Sequence, residues 1–261
     1  MSEQEVRLGG MALANGVLVH GPTAWGCAIR LPDGRLEVAA DHKRYRASGV
    51  TNPLLRGPAR LAEALAVLPE VRKRMPEARL PFARPRVLSA MAASAVAVQL
   101  ARGSARLSPG AQELIAAIAS LAPAAVALRS SDLAAYHGAE HIAIGSHEHG
   151  EARDKEHERC GSHLLGPLLA TLAAGNMLAS RAPAHLRAPA RALASLGAVA
   201  VSTEVFSWML RNPDHPLARA LAKPGHELQH RLATAEPTPE QLEVAEAALA
   251  ACLELEHGDQ D

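Results

Sequence analysis

Aromatic side chains are nearly missing: two Trp, two Tyr and two Phe in 261 residues, 2% of the chain. This excludes a core built on large rings. The abundant alanine points to helices instead, because Ala loses no side-chain entropy on entering one. Net charge is missing as well. The 27 basic residues balance 27 acidic ones, which leaves no electrostatic case for nucleic acid as a partner. Cysteine is scarce, and Cys27, Cys160 and Cys252 are odd in number and far apart. They do not read as a disulfide framework, so the chain is expected to face the cytosol. The opening MSEQEVRLGG carries no apolar run behind a basic patch, so no cleavable signal peptide is expected. No internal repeat, Gly-rich phosphate loop or dinucleotide fingerprint is present to suggest a substrate.

The length suits one large domain or two small ones. Residues 1–50 read as a small β unit. Asn15-Gly16 is a turn signal between apolar runs. Pro32-Asp33-Gly34 supplies the fixed φ, the Asx bond and the positive φ of a tight turn between Ala24–Leu31 and Arg35–Ala39. Residues 51–86 are rich in Pro and Arg and read as a linker with one helix, around Gly57–Leu68. Residues 87–261 read as a helical body, making the fold class α+β and mostly helical. The body ends in an amphipathic helix over 238–255. Thr238-Pro239-Glu240-Gln241 is its capping box, with Pro at the first helical position. Leu242, Ala245, Leu249 and Leu253 form its apolar face.

Four uncharged, Ala/Leu-rich stretches interrupt this body: Val87–Ala101, Leu114–Leu128, Cys160–Ser180 and Ala192–Leu210, the last broken by Glu204. Only the third reaches the roughly 20 residues of a membrane span, and it contains His163, Pro167 and Asn176. Composition alone leaves membrane hairpins and an Ala-rich soluble bundle both open.

Of 13 histidines, six lie between His137 and His163. His137 and His141 are four apart, so on a helix both rings share one face and can share a metal ion. Asp132 or Ser131 would cap this helix, and Gly145 would stop it. In an unbroken helix Glu148 would lie about 10 Å beyond His141; with a stop at Gly145 the chain can fold back. Glu148, His157 or Cys160 would then complete a tetrahedral site in the loop 129–163. The donor set suits a divalent ion, zinc above all. Glu140 suits a general base acting on ion-activated water, or a partner behind the ligands. His-x-x-Glu-His is also the inverzincin spacing, in which a distant glutamate ligates, and Glu204 is a candidate for that role. His147, His149 and His163 are expected to be solvated.

These residues also carry a family resemblance. Tyr136–His141 (YHGAEH), Glu148 and His157–Gly161 (HERCG) resemble the core signature of the YqhQ-like proteins. That bacterial family of unknown function is described as predicted metal-dependent enzymes with membrane segments. Gly9-Gly10, Asn15-Gly16-Val17 and Gly21-Pro22 resemble its N-terminal block, GGQAVxEGVMMRGP, and Leu55-Arg56-Gly57 its LRG element. Pro224-Gly225, Gln229, Thr234–Pro237 and Gln241–Ala245 resemble its C-terminal block. The motifs keep their order over nearly the whole chain. Among the departures, Met11 and Asn15 replace the Gln and Glu of the first block, and Ile142 replaces a lysine. The resemblance implies a metal-dependent enzyme, expected to be hydrolytic, at the cytoplasmic membrane with its site facing the cytosol. The alternative is a membrane-associated scaffold or assembly factor with a purely structural metal. Substrate and oligomeric state are not legible.

Overall fold

The computed structural model describes residues 7–129 and 132–258. Among these, the N-terminal unit is a four-stranded antiparallel meander: β1 (Gly9–Leu13), β2 (Gly16–His20), β3 (Ala24–Arg30) and β4 (Leu36–His42). Both expected turns are present. Asn15 anchors the first, its side-chain Oδ1 accepting from the Arg79 amide at 2.9 Å and its Nδ2 donating to the Glu77 carbonyl at 3.1 Å. At the second, Gly34 has φ 85° and Asp33 Oδ1 accepts from the Arg35 amide at 3.1 Å, the Asx bond that the triplet predicts.

Eight α-helices follow among the described residues. They are α1 (Pro53–Arg74), α2 (Pro85–Gly103), α3 (Pro109–Leu128), α4 (Leu133–His149), α5 (Leu165–Ser180), α6 (Arg187–Arg211), α7 (Pro216–Leu228) and α8 (Pro239–Gly258). Helix α1 overruns the expected 57–68 at both ends, because Asn52 caps it from Leu54 N and Pro53 starts it. The capping box of α8 closes in both directions. Gln241 Oε1 accepts from the Thr238 amide at 2.9 Å, and Thr238 Oγ1 accepts from the Gln241 amide at 3.3 Å.

Period-two alternation gives the sheet two buried faces. Ala12, Val17, Val19 and Ala28 pack against Tyr136, Ala139 and Ala143 of α4 and against Val244, Ala245, Ala248 and Cys252 of α8. Leu13, Leu18, Trp25, Cys27 and Ile29 pack against Val67, Leu68, Val71 and Met75 at the end of α1. The α8 side is made of small residues, and a Cβ on Gly26 would stand 2.3 Å from the Ala248 carbonyl oxygen. Glu256, on the last turn of α8, is buried and accepts from the amides of Thr23 and Ala24, both at 2.7 Å. It holds the β2–β3 turn from the far end of the chain.

The remaining helices pair as α2 with α3 and α5 with α6. Their interior is small or polar: buried Glu113 takes Arg102 at 2.8 Å and Asn176 at 3.0 Å. Their exterior is apolar, with Leu88, Val96, Leu114, Ile118, Leu193 and Leu196 all exposed. Two segments are long and apolar enough to cross a membrane, Pro109–Leu128 and Ala184–Arg211. The sequence favoured the third stretch instead. That stretch divides into a 3-10 turn, Gly161–Leu164, and the 16 residues of α5, too short at 1.5 Å per residue to span.

Candidate metal centre

Helix α4 carries the histidine pair. Asp132 stands at its N-cap without a side-chain capping bond, and Ser131 lies outside the described residues. Gly145 does not stop the helix. It is interior, and the chain turns at Gly150, where φ is 66°. A glycine ends a helix where its backbone goes left-handed. At Gly145 the missing side chain serves packing instead, since a Cβ there would meet His157 Cδ2 at 3.3 Å and Arg153 Cβ at 3.4 Å.

The unbroken helix decides the ligand geometry. His137 and His141 lie one turn apart with ring centroids at 4.3 Å. The loop returning over α4 brings Cys160 Sγ to 3.5 Å from His137 Nε2. One ligand atom from each of His137, His141 and Cys160 lies within 4.8 Å of the others. Glu148, a full two turns beyond His141, does not join them. Its carboxylate faces His157 Nε2 at 3.3 Å and Arg159 at 3.1 Å. Burial pushes its pKa up, but these two partners outweigh burial and hold it low. His157 is thereby engaged with Glu148, its ring 5.6 Å from that of His141. Glu204 does not join this group; it lies on α6 with both carboxylate oxygens on Arg56 of α1. His163 is buried rather than solvated.

Both imidazoles are oriented from behind. His137 Nδ1 contacts the Ala233 carbonyl at 2.8 Å, and His141 Nδ1 the Lys155 carbonyl at 2.6 Å. A carbonyl only accepts, so each Nδ1 carries the proton and each Nε2 keeps a free lone pair. Burial, reinforced by His137, lowers the His141 pKa to about 3, so this ring stays neutral. Burial pushes the Cys160 thiol up. Glu140 is buried and carries no hydrogen bond among the described residues. Its carboxylate stands 3.9 Å from His137 Nε2. Burial raises its pKa to about 8, against an opposing pull from His137. A cation nearby would lower both the carboxyl and the thiol, as bound ions do. Two neutral imidazole nitrogens with a thiolate are zinc-type donors, so the residues present fit such an ion.

Several contributors were not expected from spacing. Gln229 is fully buried. It accepts from the His157 amide at 3.0 Å and donates to Ser162 Oγ at 2.6 Å and to His163 Nδ1 at 3.2 Å, clamping the loop that holds Cys160. It opens a π-helical turn, Gln229–Ala233, whose last residue supplies the carbonyl behind His137. Gly138 lets the chain after this turn approach, since a Cβ would stand 2.3 Å from the Ala235 oxygen. Gly10 of β1 does the same for Glu140, whose Oε1 would be 2.3 Å from a Cβ there. The only sequence signal for Gly10 and Gln229 was their place in the resembled motif blocks.

One protein family matches residues 90–255, a span from α2 into α8 that includes the whole His137–His141–Cys160 group. It is described as a protein of unknown function (DUF1385). No curated protein and no solved structure matches the chain.

Proposed function

The chain belongs to the DUF1385 family, whose description assigns no activity, and from that premise we propose that it is a membrane-associated, metal-dependent enzyme of hydrolytic type. This keeps the character that the YqhQ-like resemblance implies. His137, His141 and Cys160 would hold a divalent ion, zinc by their chemistry, and Glu140 would handle the proton. The reading is carried by one observation: one ring nitrogen each of His137 and His141 lies within 4.8 Å of the other and of the Cys160 sulfur, and a backbone carbonyl on each Nδ1 fixes both rings. Backbone carbonyls behind ligating histidines set tautomer and ring direction and raise ligand basicity. When bound, such an ion supplies Lewis acidity and a water of lowered pKa. Glu140, buried and without a hydrogen bond among the described residues, can take a proton beside it. A cavity of about 200 Å³ adjoins the same loop, lined by Glu158, His163, Phe206 and Met209 among others, and could receive a substrate group.

The same reading seats the apolar outer faces of the α2–α3 and α5–α6 hairpins in the cytoplasmic membrane, each hairpin entering and leaving on one side, so the sheet and the metal centre stay together on the cytosolic face. A structural metal that staples the loop of a membrane scaffold is the competing account. Two variants separate them. Glu140→Gln keeps size and removes the base, so it should retain metal, melt like wild type and fail to complement a deletion strain, as loss of general acid–base help typically slows reactions by about 10²–10⁴. His141→Ala should lose the metal itself. A Glu140→Gln protein that holds metal and complements fully would overturn the enzyme and leave the scaffold.

A further inference from the structure

Outside the His137–His141–Cys160 group, the loop after α4 and the end of α7 bring a glutamate against two histidines. His226 on α7 and His230 in the π-helical turn are four residues apart. Their rings stack at 20° with centroids at 6.3 Å. Glu156, from the loop after α4, reaches both: Oε1 lies 2.7 Å from His230 Nδ1, and Oε2 3.4 Å from His226 Nδ1. A carboxylate on Nδ1 leaves Nε2 of the ring with its lone pair. This repeats, with a carboxylate in place of carbonyls, the arrangement behind His137 and His141. Two of the cations next to these residues in sequence are paired, Lys155 with Glu236 at 2.7 Å and Arg231 with Glu227 at 2.9 Å.

We propose that His226 and His230, oriented by Glu156, form a second and exposed site for a divalent transition-metal ion. Imidazole nitrogens suit Zn²⁺, Cu²⁺, Co²⁺ or Ni²⁺. Two nitrogens at about 2.0–2.1 Å from one ion must stand closer than these rings do now. The side chains are 57% and 65% exposed, so they can rotate together without repacking the core. Exposure also makes this the weaker and more exchangeable site. Its position gives it a role. Glu156 adjoins Lys155, whose carbonyl orients His141, and His230 belongs to the turn whose Ala233 carbonyl orients His137. An ion there would fasten together the two segments that aim the first group.

The test is equilibrium dialysis of the tag-free, full-length protein against Co²⁺, with bound metal counted and thiolate-to-cobalt absorption recorded. Wild type should take up two equivalents, the tighter one with the thiolate band. His226→Gln/His230→Gln should keep that equivalent with its band and lose the weaker one. Cys160→Ser should lose the band and keep the weaker equivalent, so the two sites can fail separately. Glu156→Gln should weaken the second equivalent by about tenfold, the scale of losing a group behind a metal ligand. A double-histidine variant that binds as much Co²⁺ as wild type would overturn the proposal. Loss of the banded equivalent alone would instead count against the His137–His141–Cys160 reading and leave this one standing.

Discussion

Gly10 has no side chain, and the space where one would begin holds the carboxyl of Glu140, with its three outer carbons and oxygens as near as 2.3–2.6 Å to an ideal Cβ. Gly10→Ala should therefore push Glu140 aside and cost about 1–3 kcal/mol, as overpacking does. Glu140→Ala should remove most of that cost in the double variant, a coupling above about 0.5 kcal/mol in a thermal-melt cycle; strictly additive losses would disprove the contact. On the opposite face of the sheet, buried Lys43 bridges His20 Nδ1 at 3.1 Å and Glu63 at 2.7 Å. Burial and then the Lys43 ammonium lower the His20 pKa from 6.5 to about 4. Between those values the unfolded chain binds more protons than the native one, so stability from this group is full above about 6.5 and declines as pH falls toward about 4. His20→Gln should flatten this part of the melting-temperature profile, measured on wild type and variant from neutral pH downward.

Elements defined by local chemistry were legible. Pro32-Asp33-Gly34 and Thr238–Gln241 each hold their own turn or cap within four residues, and both form as read. The histidine pair was legible because four-residue spacing is itself helix geometry, and Cys160 because a second motif marked it. Elements that depend on distant packing were not. Gly145 carries a stop signal, yet the loop from Arg153 to His157 packs onto it and the helix runs on; this is why Glu148 was wrongly brought toward the ligands. The π-helical turn has no sequence rule, although it supplies both Gln229 and the Ala233 carbonyl. Its weight can be measured. Gln229→Met should leave the half-buried amide of His157 and hydroxyl of Ser162 without their partner, costing at most about 1–3 kcal/mol for each. The loop should loosen, and Cys160 should alkylate faster than in wild type. Cys27 and Cys252 are fully buried and give little background in that assay. An unchanged alkylation rate with a lowered melting temperature would mean that Gln229 supports the fold without positioning Cys160.

At the scale of the whole molecule two surfaces meet. The sheet buries its apolar residues against α4, α8 and the end of α1, whereas the paired helices keep Glu113, Arg102 and Asn176 inward and turn leucine and isoleucine outward. Apolar patches spread over several helices mark a partner or a bilayer. Helices α3 and α6 have the length for the second. Ile118 and Leu196, 62% and 72% exposed, lie near the midpoints of these two helices. An arginine on a water-exposed helix face changes stability by within about 0.5 kcal/mol. At the centre of a membrane helix it costs about 2.5–3.5 kcal/mol on insertion scales. Ile118→Arg and Leu196→Arg should therefore reduce the amount of protein recovered with membranes after alkaline washing, and the double variant should reduce it further. Exposed Val38, on β4 and outside the paired helices, is the control, and Val38→Arg should leave the distribution unchanged. If wild type and every variant stay in solution without detergent, the outward leucines meet a protein partner rather than lipid, and the hairpins do not insert.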